Sequence, residues 1–206
     1  MLLTKRELPV LAVNVIYITV FTLIALRRTN YEFLLYVGVI VIIAVWILFK
    51  QRAVQFDATI LWGLTAWGLM HMAGGNLQVR DGVLYGVVIL PLVPSLEILR
   101  YDQFVHAFGF GVATLVCHHI LKPYLKDEIA RWRGLAALVA LMGLGVGALN
   151  EIIEFVAVLT MPETGVGGYD NTMWDLVFDM LGAAIAVIWI GARRRVRLLS
   201  APVLNT

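Results

Sequence analysis

The chain is poor in charge. Of its 206 residues only 15% are Asp, Glu, Lys or Arg, while 61% are hydrophobic. A soluble domain carries about 25% charged residues. Too little polar surface exists to cover a water-soluble globule, and the mean hydropathy of +0.86 makes a polytopic membrane protein the natural class. Cysteine is nearly missing as well. The lone Cys117 excludes an internal disulfide framework, and its apolar setting reads as helix packing. No small-residue cleavage site follows the first apolar run, so that run reads as a membrane helix and not as a cleaved signal. Also missing are G-x-S-x-G, HExxH and a phosphatase-type Arg/Lys signature, the motifs that would announce a familiar hydrolase. No internal repeat or low-complexity segment stands out.

What the chain does have is long apolar runs. A membrane-spanning helix needs about 20 residues. Six segments meet this, at about 8–26, 33–49, 56–73, 104–121, 134–159 and 173–192. The expected fold is therefore all-α, a polytopic membrane bundle of about six transmembrane helices forming one integral membrane domain over 1–206. Lys and Arg in the connecting segments set the orientation. With the N-terminus inside, the inner segments hold Lys5, Arg6, Lys50, Arg52, Lys122, Lys126, Arg131, Arg133, Arg193, Arg194, Arg195 and Arg197. The outer ones hold only Arg27, Arg28, Arg80 and Arg100. Both termini are thus expected in the cytoplasm and the chain in the cytoplasmic (inner) membrane. The basic tail Arg193–Arg197 fits positive-inside topology and anionic lipid; no nucleic-acid binding is expected.

Threaded this way, seven ionisable residues converge on the outer side: His71, Asp102, His106, Glu151, Glu154, Asp175 and Asp179. A charge in hydrocarbon costs at least about 2.5–3.5 kcal/mol, so a layer of them reads as a site. Asp102 and His106 are spaced i,i+4, Glu151 and Glu154 i,i+3, and Asp175 and Asp179 i,i+4, so each pair shares a helix face. Asn150 is i,i+4 to Glu154. The first two helices carry no such groups and read as lipid-facing scaffold. His118 and His119 lie about 18 Å along the helix from His106 and fall outside the site. For a single residue such as Asn14 or Asp57, hydrogen bonding between membrane helices is the expected role. Gly143-x-x-x-Gly147, Gly109 with Gly111, and Gly182 with Ala186 predict close packing of the last three helices. Two outer connections are longer than needed. One, Gly74–Tyr101, contains an apolar stretch Val83–Val93 broken by Pro91 and Pro94, which lies in the interface or re-enters. The other, Thr160–Thr172, is rich in Gly. Either can roof the site or serve as a plain connector.

Five carboxylates against two histidines need compensation, from a divalent metal, from protons held by burial, or from Arg100 folding back. Mixed O and N ligands suit Zn, Mn or Fe. The candidate metal ligands are His71, Asp102, His106, Glu151 and Glu154. The candidate catalytic groups are Glu151, Glu154, Asp175 and Asp179, as general acid, general base or partners of the ligands.

Four segments carry a resemblance: His71-Met-Ala-Gly-Gly75, Tyr101-Asp-x-x-x-His106, Asn150-Glu-Ile-Ile-Glu-Phe155 and Asp170-Asn-Thr-x-Trp-Asp175. In order and approximate spacing these resemble the YjdF-like bacterial inner-membrane proteins, over roughly His71–Ala186. The resemblance implies six-helix inner-membrane architecture and little biochemistry. More loosely, Asp102, His106, Glu151 or Glu154, and Asp175 resemble the polar pattern of VanZ-like proteins, which are linked to glycopeptide-antibiotic resistance. Asp179 stands where that pattern tends to have Asn, and Thr160–Thr172 lacks the expected Arg, so the resistance phenotype is not carried over.

Three functions remain open. The first is an outer-leaflet enzyme, metal-dependent or using a buried Glu as acid, acting on a lipid or lipid-linked envelope precursor. The second is an accessory or ligand-binding membrane protein. The third is a proton- or cation-coupled transporter, which the apolar inner half and the lack of an inverted repeat disfavour, unless a homodimer supplies the missing half. Membrane lipids are the expected surroundings in every case.

Overall fold

The computed structural model describes residues 4–91, 98–125 and 132–200, with side chains to 196. Six helices account for most of it: α1 (Leu8–Arg27), α2 (Tyr31–Val54), α3 (Ala58–Asn76), α4 (Tyr101–Leu121), α5 (Trp132–Thr160) and α6 (Tyr169–Ser200). Five of them, all but α3, are long and apolar enough to cross a membrane. Their outer faces are apolar, with Ile42 and Ile188 each 70% exposed, as lipid contact requires. The 19 residues of α3 include His71 and Asn76. This helix packs between α1 and α4, so less of its surface has to be apolar than on a helix facing lipid. The all-α, polytopic membrane architecture expected from the sequence is what the chain adopts.

Where its ends are polar, a helix outruns the apolar segment that announced it. α6 has 32 residues and is about 48 Å long at 1.5 Å per residue, against about 30 Å of hydrocarbon. Polar residues at the ends continue the helix into water, so hydropathy marks the buried middle and capping marks the ends. The Asn30 side chain accepts from Phe33 N at 3.1 Å and starts α2 two residues before its apolar run. Asp57 accepts from Ile60 N at 3.0 Å and starts α3; it caps its own helix and does not bridge to another. Asn14 does bridge, donating to Thr65 Oγ1 on α3 at 2.7 Å and accepting from Tyr17 at 2.9 Å. At α4 the Gln103 carbonyl accepts from the amides of Leu99 and Arg100.

Glycines allow the helices that carry the charges to meet. α4 and α6 form the most extensive helix pair, with α5 against both. At their crossing a Cβ on Gly111 would lie 3.1 Å from the Gly182 carbonyl, and one on Gly182 would run into the Ala107 carbonyl. A Cβ on Gly143 would meet Thr114, and one on Gly147 would meet the Asp179 carboxylate. Lipid gives helices no hydrophobic reason to associate, so such backbone approach and interhelical hydrogen bonds supply the attraction.

The described residues between α3 and α4 form neither a re-entrant helix nor a plain connector. Gln78–Val79 and Gly82–Val83 form strands β1 and β2, paired antiparallel with Gln78 opposite Val83, followed by a 3-10 turn at Leu84–Gly86. The backbone then runs extended, with Val88 bridged to Arg100 and Tyr101 N donating to Val87 O at 2.8 Å. This ladder carries Tyr85 back onto the bundle. Val93 and Pro94 fall outside the described residues, as do Lys126 and Arg131.

Candidate functional site

All the relevant helix ends meet at one end of the bundle: the end of α1, the start of α2, the end of α3, the start of α4, the end of α5 and the start of α6. The centre of the site is His106, 5% exposed, one turn into α4. Its Nδ1 is 3.0 Å from Asp179 Oδ1 and 3.9 Å from Glu151 Oε1. Its Nε2 is 3.9 Å from Asp102 Oδ1. With the Asp179 carboxylate accepting, Nδ1 carries a proton, and Nε2 faces Asp102. A carboxylate behind an imidazole in this way orients a metal-binding histidine and raises its basicity.

Two sets of side chains bring ligand atoms within 4.8 Å of one another: Asp102, His106 and Asp175, and His106, Glu151 and Asp179. Asp175 is 1% and Asp179 0% exposed. The Asn171 amide donates to Asp175 Oδ2 at 2.6 Å. Asp175 Oδ1, Asp179 Oδ2 and both oxygens of Glu151 have no hydrogen-bond partner among the described residues. Buried acceptors left unmatched are costly, and four in one cluster present a strong demand for positive charge.

The structure brings these helix faces together and divides the residues differently from the expectation. Asp175 and Asp179, expected as acid–base groups, stand in the two ligand-like sets. His71 and Glu154, expected as ligands, stand in neither. Glu154 Oε1 accepts from Asn150 at 2.8 Å. His71 Nδ1 lies 2.6 Å from the Tyr85 hydroxyl, which also donates to the His71 carbonyl at 3.0 Å. Burial pushes the Tyr85 hydroxyl well above the ordinary phenol range, with the nearby Asp102 and Glu154 charges adding to it, so Tyr85 stays protonated.

His71 and Glu154 line a cavity of about 170 Å³ together with Asp102, Tyr36, Tyr85 and Glu32. Asp102 thus belongs both to this cavity and to a ligand-like set. A wider polar vestibule of about 550 Å³ adjoins it, lined by Arg28, Glu163 and Pro162 among others. Asn30, Glu32, Gly75, Val83 and Gly165 line both spaces. Asp102 is the residue that lines this cavity and also neighbours His106, at 3.9 Å.

The expectation that the first two helices are only scaffold is corrected here. Glu32, Phe33 and Tyr36 of α2 are buried and form a wall of the cavity. The reason is local: the Asn30 cap draws Glu32 into the first turn of α2, where Tyr36 at i+4 donates to Glu32 Oε1 at 3.1 Å. Hydropathy placed Glu32 in a linker, whereas Asn30 followed by an acidic residue was the available signal. Both long connections do cover the site: Tyr85 and Val83 come from one, Gly165 and Val166 from the other. The Gly165 amide donates to Glu32 Oε2 at 2.7 Å. Gly167, at φ +81°, gives the second loop a turn that a side chain would strain. His118 and His119 sit at the far end of α4, against Trp132 and the Val54 carbonyl, away from the site.

Fold and site together define a polytopic membrane helical bundle with a buried acid–histidine cluster beside a cavity. Residues 9–196 match the family described as predicted membrane protein (DUF2238). The chain belongs to that family, in agreement with the YjdF-like resemblance. It is also similar to an uncharacterized protein of Thermotoga maritima, 35% identical over 89 residues, a stretch covering 42% of this chain and 45% of that protein. The match thus spans less than half the length of that relative. No solved structure matches.

Proposed function

We propose that this protein is an inner-membrane hydrolase that holds a divalent cation between Asp102, His106 Nε2 and Asp175, and acts on the head group of a lipid or lipid-linked envelope precursor at the outer leaflet. The observation that carries this is Asp175. It is all but completely buried, clamped on one oxygen by Asn171, and has no partner on the other. A mixed N and O donor set suits Zn, Mn or Fe. A bound cation would supply Lewis-acid polarisation of a phosphoryl or carbonyl oxygen.

The remaining roles follow from position. Asp179 orients the His106 ring through Nδ1. Glu151 faces the same nitrogen from 3.9 Å and can take up or return a proton. Glu154, in the cavity wall, is placed to act as general base on a water entering from the vestibule. The orientation inferred from Lys and Arg, with both termini cytoplasmic, puts the vestibule outside, where lipid head groups and envelope precursors are accessible. Beyond Asp179 toward the other end, Thr114 is the buried polar residue of α4–α6 among those described, and its hydroxyl is bonded to the Phe110 carbonyl. A one-sided site favours chemistry at a surface over transport through the bundle.

The test is release of a water-soluble head group from labelled phospholipid and lipid-linked precursor in nanodiscs carrying the purified protein. Release that stops with chelator, returns with divalent metal and is lost in Asp175→Asn and Glu154→Gln supports the reading. Release unaffected by chelator, or none from either lipid class with the metal-loaded protein, overturns it.

A further inference from the structure

Acids and aromatic rings are prominent in the lining of the cavity beside the cluster, and the Arg100 charge acts on one of those acids, Asp102. Glu32, Asp102 and Glu154 line it, and its described lining contains no Lys or Arg. Glu32 is 8% exposed. Its two hydrogen bonds come from neutral donors, the Tyr36 hydroxyl and the Gly165 amide, so they fix the carboxylate without neutralising it. The wall beside Glu32 is aromatic. Phe33 and Tyr36 meet at 5.2 Å between centroids, Tyr36 and His71 at 5.3 Å, His71 and Tyr85 at 5.9 Å. An acidic lining disfavours an anion. Aromatic rings backed by carboxylate favour a weakly hydrated organic cation, as in aromatic cages for quaternary ammonium groups. The space of about 170 Å³ suits a small group at the end of a chain, and its Glu32 end opens on the vestibule.

We propose that this cavity binds an alkylammonium group, presented by a free amine or by the head group of a lipid. The proposal rests on the hydrolase reading in one respect: it names the class of head group, with the ammonium at the Glu32 and Tyr36 end and the scissile end toward Asp102. The cavity itself is defined without reference to any metal.

The probe is choline, titrated by calorimetry into the purified full-length protein in detergent, with and without chelator. The comparison is 3,3-dimethylbutan-1-ol, its uncharged isostere, on the same wild-type protein. Saturable choline binding, with the isostere about tenfold weaker or more, is expected. Glu32→Gln should weaken choline to a similar degree while leaving metal content unchanged. A parallel arm compares thermal stability in nanodiscs of phosphatidylcholine and phosphatidylglycerol. Choline binding alone identifies a free amine, and stabilisation by phosphatidylcholine alone identifies a lipid head group. Equal binding of choline and the isostere overturns the proposal, as does the combination of no choline binding and no preference between the two lipids. The isostere comparison uses wild type, so the outcome does not depend on a variant folding. Choline binding without any metal would remove the hydrolase reading alone; stoichiometric metal without ammonium preference would remove this proposal alone.

Discussion

His106 turns a set of acids into a site with direction. Asp179 holds Nδ1, so the imidazole presents Nε2 toward Asp102 and the cavity. Asp179→Asn keeps the shape but loses the charge behind the ring. It should lower divalent affinity by about 10–100-fold, measured by competition with a chromophoric chelator, while the far-ultraviolet spectrum stays native. Unchanged affinity would show that Asp179 is only packing. Tyr85→Phe removes the hydroxyl that joins the two polar groups of His71, and should cost about 1 kcal/mol in thermal stability. At this scale the residue types and their spacing were legible: each i,i+3 or i,i+4 pair does face inward. Their division between ligand-like sets and cavity wall was not, because it depends on which oxygen Asn150 and Asn171 occupy and on Tyr85, a loop residue about 14 positions from His71 with no periodic signal. Glu32 was hidden for a related reason. A hydropathy window stops at the first charge, while a cap draws that charge into the helix.

Among the elements, glycines decide how closely the acids approach one another. A Cβ at position 147 would meet the Asp179 carboxylate. Gly147→Ala should therefore displace that carboxylate and weaken metal binding, at an overpacking cost of about 1–3 kcal/mol. Gly182→Ala acts at the α4–α6 crossing. It should lower stability by a similar amount, and the drop in melting temperature should be accompanied by weaker metal binding because both helices carry candidate ligands. If Gly182→Ala lowers stability but leaves affinity intact, the site is insulated from the crossing. The spacing of small residues signals this packing directly, since close approach in lipid requires such residues. The strand pair after α3 gave no comparable signal: each strand is two residues long, too short for alternation to register, and its apolar continuation resembled an interfacial segment.

For the whole molecule, the architecture follows from composition and run length, the most robust signals the chain offers. α3 alone falls outside the apolar, membrane-length class, because it is flanked by protein and carries part of the cavity wall. The excess of Lys and Arg in the segments at the end of the bundle opposite the site predicts its sidedness. A reporter fused after Thr206 should read cytoplasmic; a periplasmic reading would put the vestibule on the cytoplasmic side and remove outer-leaflet lipids as substrates. The central claim, that the buried acid–histidine cluster exists to hold a divalent cation, is tested most directly by elemental analysis of the purified protein beside an Asp102→Asn/Asp175→Asn double variant of equal helicity. The account predicts about one divalent ion per chain in the wild type, as a built site requires, and none in the variant. Wild-type protein that remains metal-free after incubation with Zn, Mn and Fe would contradict it, and would leave protons, or Arg100 near Asp102, as the charge that balances the cluster.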